Sequence, residues 1–278
     1  MSPLQGDHPD DHRHDRGTDR SESAYPALQS VGIALDIIDA LAVAPELSLS
    51  ELARRVGIAK STAHRTCAVL ASRGLVDRTA DRGYRLGLRL VEYGHEATER
   101  TVVGDQALPL LVELRNTLEE TVQVGVPAGA DVVYVERVEG QRALRYSTNS
   151  RRSPLHRSSA GKVLAAFNPE LAEARLRAGL PASTGYTIVV PALLLAELAR
   201  VRERGYARSV DETELGMSSL AVPVRDSVGG PVVAAISMVG PTPRVVGDHE
   251  TRHTRILKAG ARRLTQAIAD GGYTVRRG

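Results

Sequence analysis

Between Gln29 and Leu86 the apolar residues recur at helical spacing in three short bursts, interrupted at Pro45, Gly57 and Gly74, and then switch to two short extended runs. Val31, Ala34, Leu35, Ile38 and Leu41 predict a first helix over Gln29–Ala42, which Pro45 terminates. Ser50 is the expected cap of a second helix whose buried stripe is Leu49, Leu52, Ala53 and Val56. Gly57 ends that helix, because glycine enters the left-handed region without steric cost. A third helix follows from about Lys60 with Ala63, Cys67 and Leu70 inward, and stops at Gly74. Leu75–Arg78 and Tyr84–Leu86 then read as strands around the polar tip Thr79–Gly83. Three helices and a hairpin in so short a segment have the plan of a winged helix-turn-helix, expected to occupy residues 25–87.

Charge says what such a segment touches. Over the whole chain 36 basic residues oppose 33 acidic ones, a balance of +3 that is too weak by itself to indicate nucleic acid. Its distribution is more informative: apart from Asp77, every charged residue from Arg54 to Arg78 is basic. The second helix of a helix-turn-helix enters the major groove by its amino-terminal end. With Ala63, Cys67 and Leu70 turned inward, Ser61, Thr62, His64, Arg65 and Ala68 face out. Arg65 can fork onto guanine, Ser61 and Thr62 suit a phosphate or a base edge, and Lys60, Arg78 and Arg82 suit phosphates. The expected partner is double-stranded DNA. A winged helix used for protein contact is the blander reading, and the basic outer face weighs against it. Cys67 reads as a small buried hydrophobe.

Composition removes other classes. With no Trp and one Phe, the chain lacks the aromatic platforms of single-strand binders. No apolar run approaches the ~18 residues of a membrane span. Residues 1–23 lack the apolar core of a signal peptide, and one cysteine forms neither an internal disulfide nor a Cys-based zinc site, so a cytoplasmic protein is expected. Residues 1–24 read as a disordered tail, in which His8, His12 and His14 have no fixed surroundings to hold a metal.

After a linker helix over 88–102, residues 103–272 mix element types, and 273–278 form a short tail. Helices are expected over Asp105–Glu119, Ser158–Phe167, Pro169–Ala178, Pro191–Arg204 and Asp248–Ala269, the last burying Ile256, Gly260, Leu264, Ala267 and Ile268. Strands are expected over Thr121–Val126, Val132–Val138, Ala143–Tyr146, Tyr206–Val210, Leu220–Val224 and Val232–Val239. Hairpin-like strand pairs with helices in blocks give an α+β domain on an antiparallel sheet.

Two motifs offer chemistry. His249-Glu250-Thr251-Arg252-His253 fits H-E-x-x-H, the zinc protease signature and the basis of an alternative hydrolase reading. Its polar flanks and the lack of a suitable third ligand argue instead for a half-buried His253. Ser159-Ala160-Gly161-Lys162 fits S-x-x-K, but the S-D-N and K-T-G elements of acylating enzymes are missing. Gly161-Lys162-Val163 lacks the Ser or Thr of a phosphate loop. No catalytic residue, metal site or cofactor is expected.

The stretch LSLSELARRVGIAKSTAHRTCAVLASRGLV, followed by DRGYRLGLRLVEYG, resembles the amino-terminal domain of the IclR family of bacterial transcriptional regulators. PLHRSSAGKVLAAF and RGYARSVDETELGMSSLAVPVRDSVGGPVVAAISMVGPTPR resemble that family's effector domain, so the likeness spans nearly all of Leu28 to Ala269. The resemblance implies a homodimer or homotetramer on a palindromic operator, with a GAF-like domain holding a small-molecule effector. Carried over position by position, it implies effector contacts at Ser159, Ala160, Ser209, Ser219 and Ser237. Ser209 stands where the family often has an acid, and Ser219 where it often has a cysteine. Independently, a helix start flanked by hydroxyls, as at Ser158–Gly161, suits a carboxylate, so an organic acid is the expected effector class.

Overall fold

A computed structural model describes residues 29–99, 103, 107–143, 145 and 150–271. The expected tails, 1–24 with their histidines and 273–278, lie outside the described residues, as does the end of the linker segment at 100–102. The chain divides between Leu90 and Val91 into two compact units.

The first unit runs α1 (Gln29–Ala42), β1 (Leu47–Ser48), α2 (Leu49–Val56), α3 (Lys60–Ser72), β2 (Val76–Arg78) and β3 (Gly83–Leu86). Its antiparallel sheet has the order β1-β3-β2. The short β1 was not expected; Leu47 lies opposite Tyr84 and both are buried, so pairing lets the chain cover the hairpin's apolar side. Ile37, Leu41, Leu52, Cys67, Leu70 and Val76 complete that core. On α1 the expected stripe is rotated: Val31 and Leu35 are 52% and 57% exposed, while Ile37 is fully buried and Ile33, Ala34 and Ile38 pack beside it. This helix carries two overlapping apolar stripes, and the core takes the one that presents the isoleucines.

The cap of α2 also differs from expectation. Ser48, not Ser50, sits at the amino terminus with extended backbone, and Glu51 reaches back to it. The Ser48 hydroxyl accepts from the Glu51 N–H at 3.3 Å, and Glu51 Oε2 accepts from the Ser48 N–H at 3.0 Å. Gly57 adopts φ 72° and donates to the Ala53 carbonyl, as a left-handed terminator should. After β3, Gly87 passes so close to the Gly74 turn that a Cβ there would lie 2.2 Å from the Gly74 oxygen. Helix α4 (Arg89–Glu99) follows, and none of its described residues from Val91 to Ala97 is buried.

The second unit runs α5 (Ala107–Leu118), β4 (Thr121–Ala128), β5 (Asp131–Val138), β6 (Arg152–Pro154), α6 (Ser159–Phe167), α7 (Pro169–Arg177) and α8 (Pro191–Arg204). It continues with β7 (Ala207–Val210), β8 (Met217–Arg225), β9 (Val232–Pro241), the short α9 (Thr242–Val245) and α10 (Glu250–Asp270). All six strands form one antiparallel sheet in the order β6-β5-β4-β9-β8-β7, so the molecule is α+β. Side chains alternate across a strand. Val122, Val124, Leu220, Val222, Ile236 and Met238 therefore face one way, beneath α5 and α10. Tyr134, Ala221 and Ala235 face the other, beneath α6 and α8. The strand expected at Ala143–Tyr146 is not observed: Ala143 and Arg145 are not extended partners of the sheet, and Leu144 and Tyr146 lie outside the described residues. The sheet edge is supplied instead by Arg152–Pro154, paired to Asp131–Val133. On α10 the buried stripe includes Leu257 and Ala261, whereas Ile256 and Ala267 are only half-buried.

Replacing Ser48 by Ala removes the capping box and should lower stability by about 1 kcal/mol, whereas Ser50→Ala should stay within about 0.5 kcal/mol of the parent in chemical denaturation.

Candidate functional site

In the first unit, the turn between α2 and α3 is closed by the Ile58 N–H on the Ala53 carbonyl at 2.9 Å. That bond and the left-handed Gly57 aim α3 away from α2. Ala63, Cys67 and Leu70 are buried, and burial pushes the Cys67 thiol up, away from its reactive form. Lys60, Ser61, His64 and Arg65 are exposed, while Thr62 and Ala68 are half-buried. Val69 is also exposed, on the outer side of the same helix. Neither Lys60 nor Arg65 meets an acidic side chain among the described residues.

The hairpin adds two further cations. Arg78 is exposed with its guanidinium 5.8 Å from the Tyr84 ring centre, which holds it along the strand. Arg82 sits at the tip with φ 61° and is exposed. The tip is braced from inside: Thr79 donates to Glu46, and the Gly83 N–H donates to the Thr79 hydroxyl at 3.0 Å. Arg85, by contrast, lies 3.7 Å from Asp77 and is partly neutralised. A basic, hydroxyl-bearing helix face beside a braced basic hairpin can hold a phosphate backbone and meet base edges.

In the second unit a cavity of about 270 Å³ opens on the α6 side of the sheet. Ser209 and Ser219 line it, on adjacent strands where they are direct cross-strand partners. Ser159 stands one layer behind, fully buried, its hydroxyl donating to that of Ser219 at 2.8 Å. Ser237 is fully buried between Gln123 and Ala221 in the sheet, and its hydroxyl has no partner among the described residues. Ala160 is buried in the apolar core and does not line the cavity, because the α6 start presents Ser158 there instead. The Ser158 hydroxyl caps α6 by accepting from the Gly161 N–H at 3.1 Å. The N–H groups of Ser159 and Ala160 remain as donors that the helix itself cannot use.

Sequence reasoning missed Gln123, Tyr134, Arg152, Arg157, Thr213 and Glu214, which also border the cavity. The run Arg151-Arg152-Ser153-Pro154-Leu155-His156-Arg157-Ser158 was the available signal, since cations and hydroxyls there lead directly into the helix start. Both the Ser209 and Thr213 hydroxyls donate to the Arg157 carbonyl, at 2.7 and 3.1 Å, fixing its backbone. The Arg157 side chain donates to Ser183, leaving its Nε shielded and without a partner among the described residues. Ser153 Oγ is in the same state. Buried polar atoms are nearly always satisfied, and both of these are shielded from solvent within residues that border the cavity.

Behind the cavity lies a buried ion pair that the sequence did not announce. Lys162 on α6 is 1% exposed; its Nζ donates to Glu212 Oε1 at 2.5 Å and to the Arg208 carbonyl at 3.1 Å. Burial pushes the lysine down and the carboxylate up, and their contact opposes both shifts. The pair fastens α6 to the segment that carries Thr213 and Glu214. It also settles the S-x-x-K match, since Ser159 bonds Ser219 while Lys162 bonds Glu212. The H-E-x-x-H match is likewise structural. Glu250 accepts from the Tyr206 hydroxyl at 2.8 Å and lies 3.5 Å from Arg208. His253 is buried with Nδ1 3.3 Å from the Val245 carbonyl, and burial lowers its pKa. Among the described residues no group of three His, Cys, Asp or Glu side chains could hold a metal, and no helix is long and apolar enough to cross a membrane.

Removing one partner of a buried pair strands the other's charge. Lys162→Met should therefore cost about 3–5 kcal/mol in chemical denaturation. Adding Glu212→Leu to that variant should recover a large part of the loss.

Residues 30–80 match the family described as the IclR helix-turn-helix domain, and residues 95–266 match the one described as bacterial transcriptional regulator IclR C-terminal. The HTH-type transcriptional regulator XynR of Escherichia coli is 37% identical over 229 residues, covering 79% of this chain and 89% of the relative. Among solved structures, the IclR of Thermotoga maritima is 29% identical with a TM-score of 0.70, covering 87% of this chain and 99% of that one. An IclR homologue of Microbacterium hydrocarbonoxydans complexed with 4-hydroxybenzoate is 26% identical with a TM-score of 0.73, covering 87% and 100%.

Proposed function

The chain belongs to the IclR family of bacterial transcriptional regulators, and from that premise we propose which of its residues read DNA and which receive the effector. It is a DNA-binding regulator with a carboxy-terminal effector domain, and not an enzyme. In our reading, α3 enters the major groove of an operator. Arg65 forks onto guanine, Ser61, Thr62 and His64 lie against base edges or the adjoining phosphates, and Lys60, Arg78 and Arg82 hold the backbone. One observation carries this: α3 buries Ala63, Cys67 and Leu70 and leaves its cations exposed with no acid opposite them.

The effector is a small organic acid held in the cavity by Ser209 and Ser219, with Ser159 and Ser237 behind them and Ala160, buried in the core, taking no part. Arg157 supplies positive charge for a carboxylate, Arg152 sharing its own with Asp131 at 3.2 Å, and the α6 start, where Ser158 lines the cavity, supplies further donors. The relative that carries 4-hydroxybenzoate, itself a carboxylic acid, supports this class. The protein acts in the cytoplasm as a homodimer or homotetramer. In support, α1 exposes Val31 and Leu35, and Val91 of α4 is 67% exposed, apolar surface suited to a second copy. A two-fold pair of recognition helices would then meet a palindromic operator.

Operator and random duplexes, titrated by fluorescence anisotropy, separate the assigned roles. Arg65→Ala should narrow the gap between the two duplexes, whereas Arg82→Ala should weaken both and lower the salt slope by about one. Ser219→Leu should leave operator affinity intact and abolish its response to a panel of small carboxylic acids. Unchanged DNA binding in both arginine variants, or an undiminished acid response in Ser219→Leu, would refute the respective assignment.

A further inference from the structure

On the face of the sheet away from the effector cavity, Thr251, Arg255, Lys258 and Arg262 follow one another along α10 at intervals of three or four residues and so share one side of the helix. With Thr254 and Tyr206 they enclose a groove of about 310 Å³. Lys258 and Arg262 also border an adjoining hollow of about 420 Å³, whose walls include the apolar Val222, Pro223 and Ala261. Three like charges at that spacing repel one another, and a bound anion would relieve that repulsion.

Some exposed arginines of this unit meet acids, Arg263 with Glu113 at 2.6 Å and Arg200 with Glu197 at 3.0 Å, while Arg252, on the same helix as Arg263, does not. Arg255 and Arg262 meet no acidic side chain among the described residues, and no acid lines the groove. Glu250, the nearest acid in sequence, is occupied by Tyr206 and Arg208. Lys258 is held in place rather than loose. Its Nζ donates to the Arg204 carbonyl at 2.9 Å and lies 5.3 Å from the centre of the Tyr206 ring. An ammonium has three donors, so two remain for a guest. Thr254 is 7% exposed and lines the groove, its hydroxyl oxygen shielded beneath the surface and without a partner among the described residues.

We propose that this groove is a second ligand site, for a phosphate-type oxyanion, with the adjoining hollow receiving the small apolar part of a phosphomonoester. Two guanidiniums and a fixed ammonium match a dianion with several acceptor oxygens better than a single carboxylate. The site stands independently of the operator and effector assignments, because it uses none of their residues.

The test is calorimetric titration of the full-length protein at constant ionic strength with inorganic phosphate and, separately, with phenyl phosphate. Saturable binding of one phosphate per chain is expected, and tighter binding of phenyl phosphate if the hollow takes the organic part. Arg255→Ala/Arg262→Ala should weaken phosphate at least about tenfold, and Lys258→Met by about threefold. Arg263→Ala, on the same helix but paired to Glu113, and Ser219→Leu in the effector cavity should bind phosphate like the parent. Thermal unfolding of each variant verifies that it is folded. No saturable binding up to about 10 mM phosphate would overturn the site. So would an equal loss in Arg263→Ala, which would mean net charge alone. Loss of operator affinity in the double variant without phosphate binding would reassign these cations to DNA. Equal affinity for phosphate and phenyl phosphate would overturn the assignment of the hollow.

Discussion

Everything in the second unit depends on the register between β8 and β9. Leu220 lies opposite Met238, Val222 opposite Ile236, Ser219 opposite Val239 and Ala221 opposite Ser237. Because successive side chains point to opposite faces, this pairing sends Leu220, Val222, Ile236 and Met238 to one face and Ser219, Ala221, Ser237 and Val239 to the other. A slip of one residue would drive serines under α10 and leucine toward α6. The apolar face is sealed by Leu111 and Leu114 of α5 and by Leu257 and Leu264 of α10. Each such leucine contributes about 1.5–3 kcal/mol through burial. The opposite face meets α6 through alanines, and its small side chains leave room for a polar cavity at the helix start. The cavity is thus a product of strand alternation.

That cavity would be soft without the Lys162–Glu212 pair. A charge buried to this extent costs far more than it returns unless its partner is fixed, so α6 and the Thr213–Glu214 segment are held in one relation. Thr184 and Thr187 reinforce the same segment by donating to the Asp211 and Glu212 carbonyls, each at 2.7 Å. A pre-formed polar pocket of this kind binds without a large ordering cost. For regulation, the effector must bind more tightly to one state of the protein than to the other, since equal affinity for both shifts nothing.

Much of this was legible beforehand, for identifiable reasons. The bounds of α1 and α8 and the start of α3 follow from periodicity bracketed by Pro45, Gly57, Pro191 and Gly205, and each of these residues has a single conformational consequence. The cap of α2 lies at Ser48 rather than at the expected Ser50 because Glu51 is three residues after Ser48 but directly beside Ser50, so the S-x-x-E box admits only one start. The buried side of α1 was ambiguous because two apolar stripes overlap there, and only the partner helices choose between them. The edge strand Arg152–Pro154 was invisible, being short, charged and proline-ended; its pairing with β5 is a tertiary fact. Of the cavity, the serines came through family resemblance, whereas Arg152, Arg157 and the Lys162–Glu212 pair needed the folded chain. A lysine in an alanine-rich helix reads as solvated until its partner, distant in sequence, is known to lie against it.

The claim that the first unit reads a DNA sequence is tested most directly by titrating the full-length protein against the fragment upstream of its own gene and against random duplex over a series of salt concentrations. The account predicts tighter binding to the upstream fragment, with the logarithm of affinity falling linearly against the logarithm of salt, by about 0.9 per phosphate contact. Absence of binding to either duplex at low salt would contradict it.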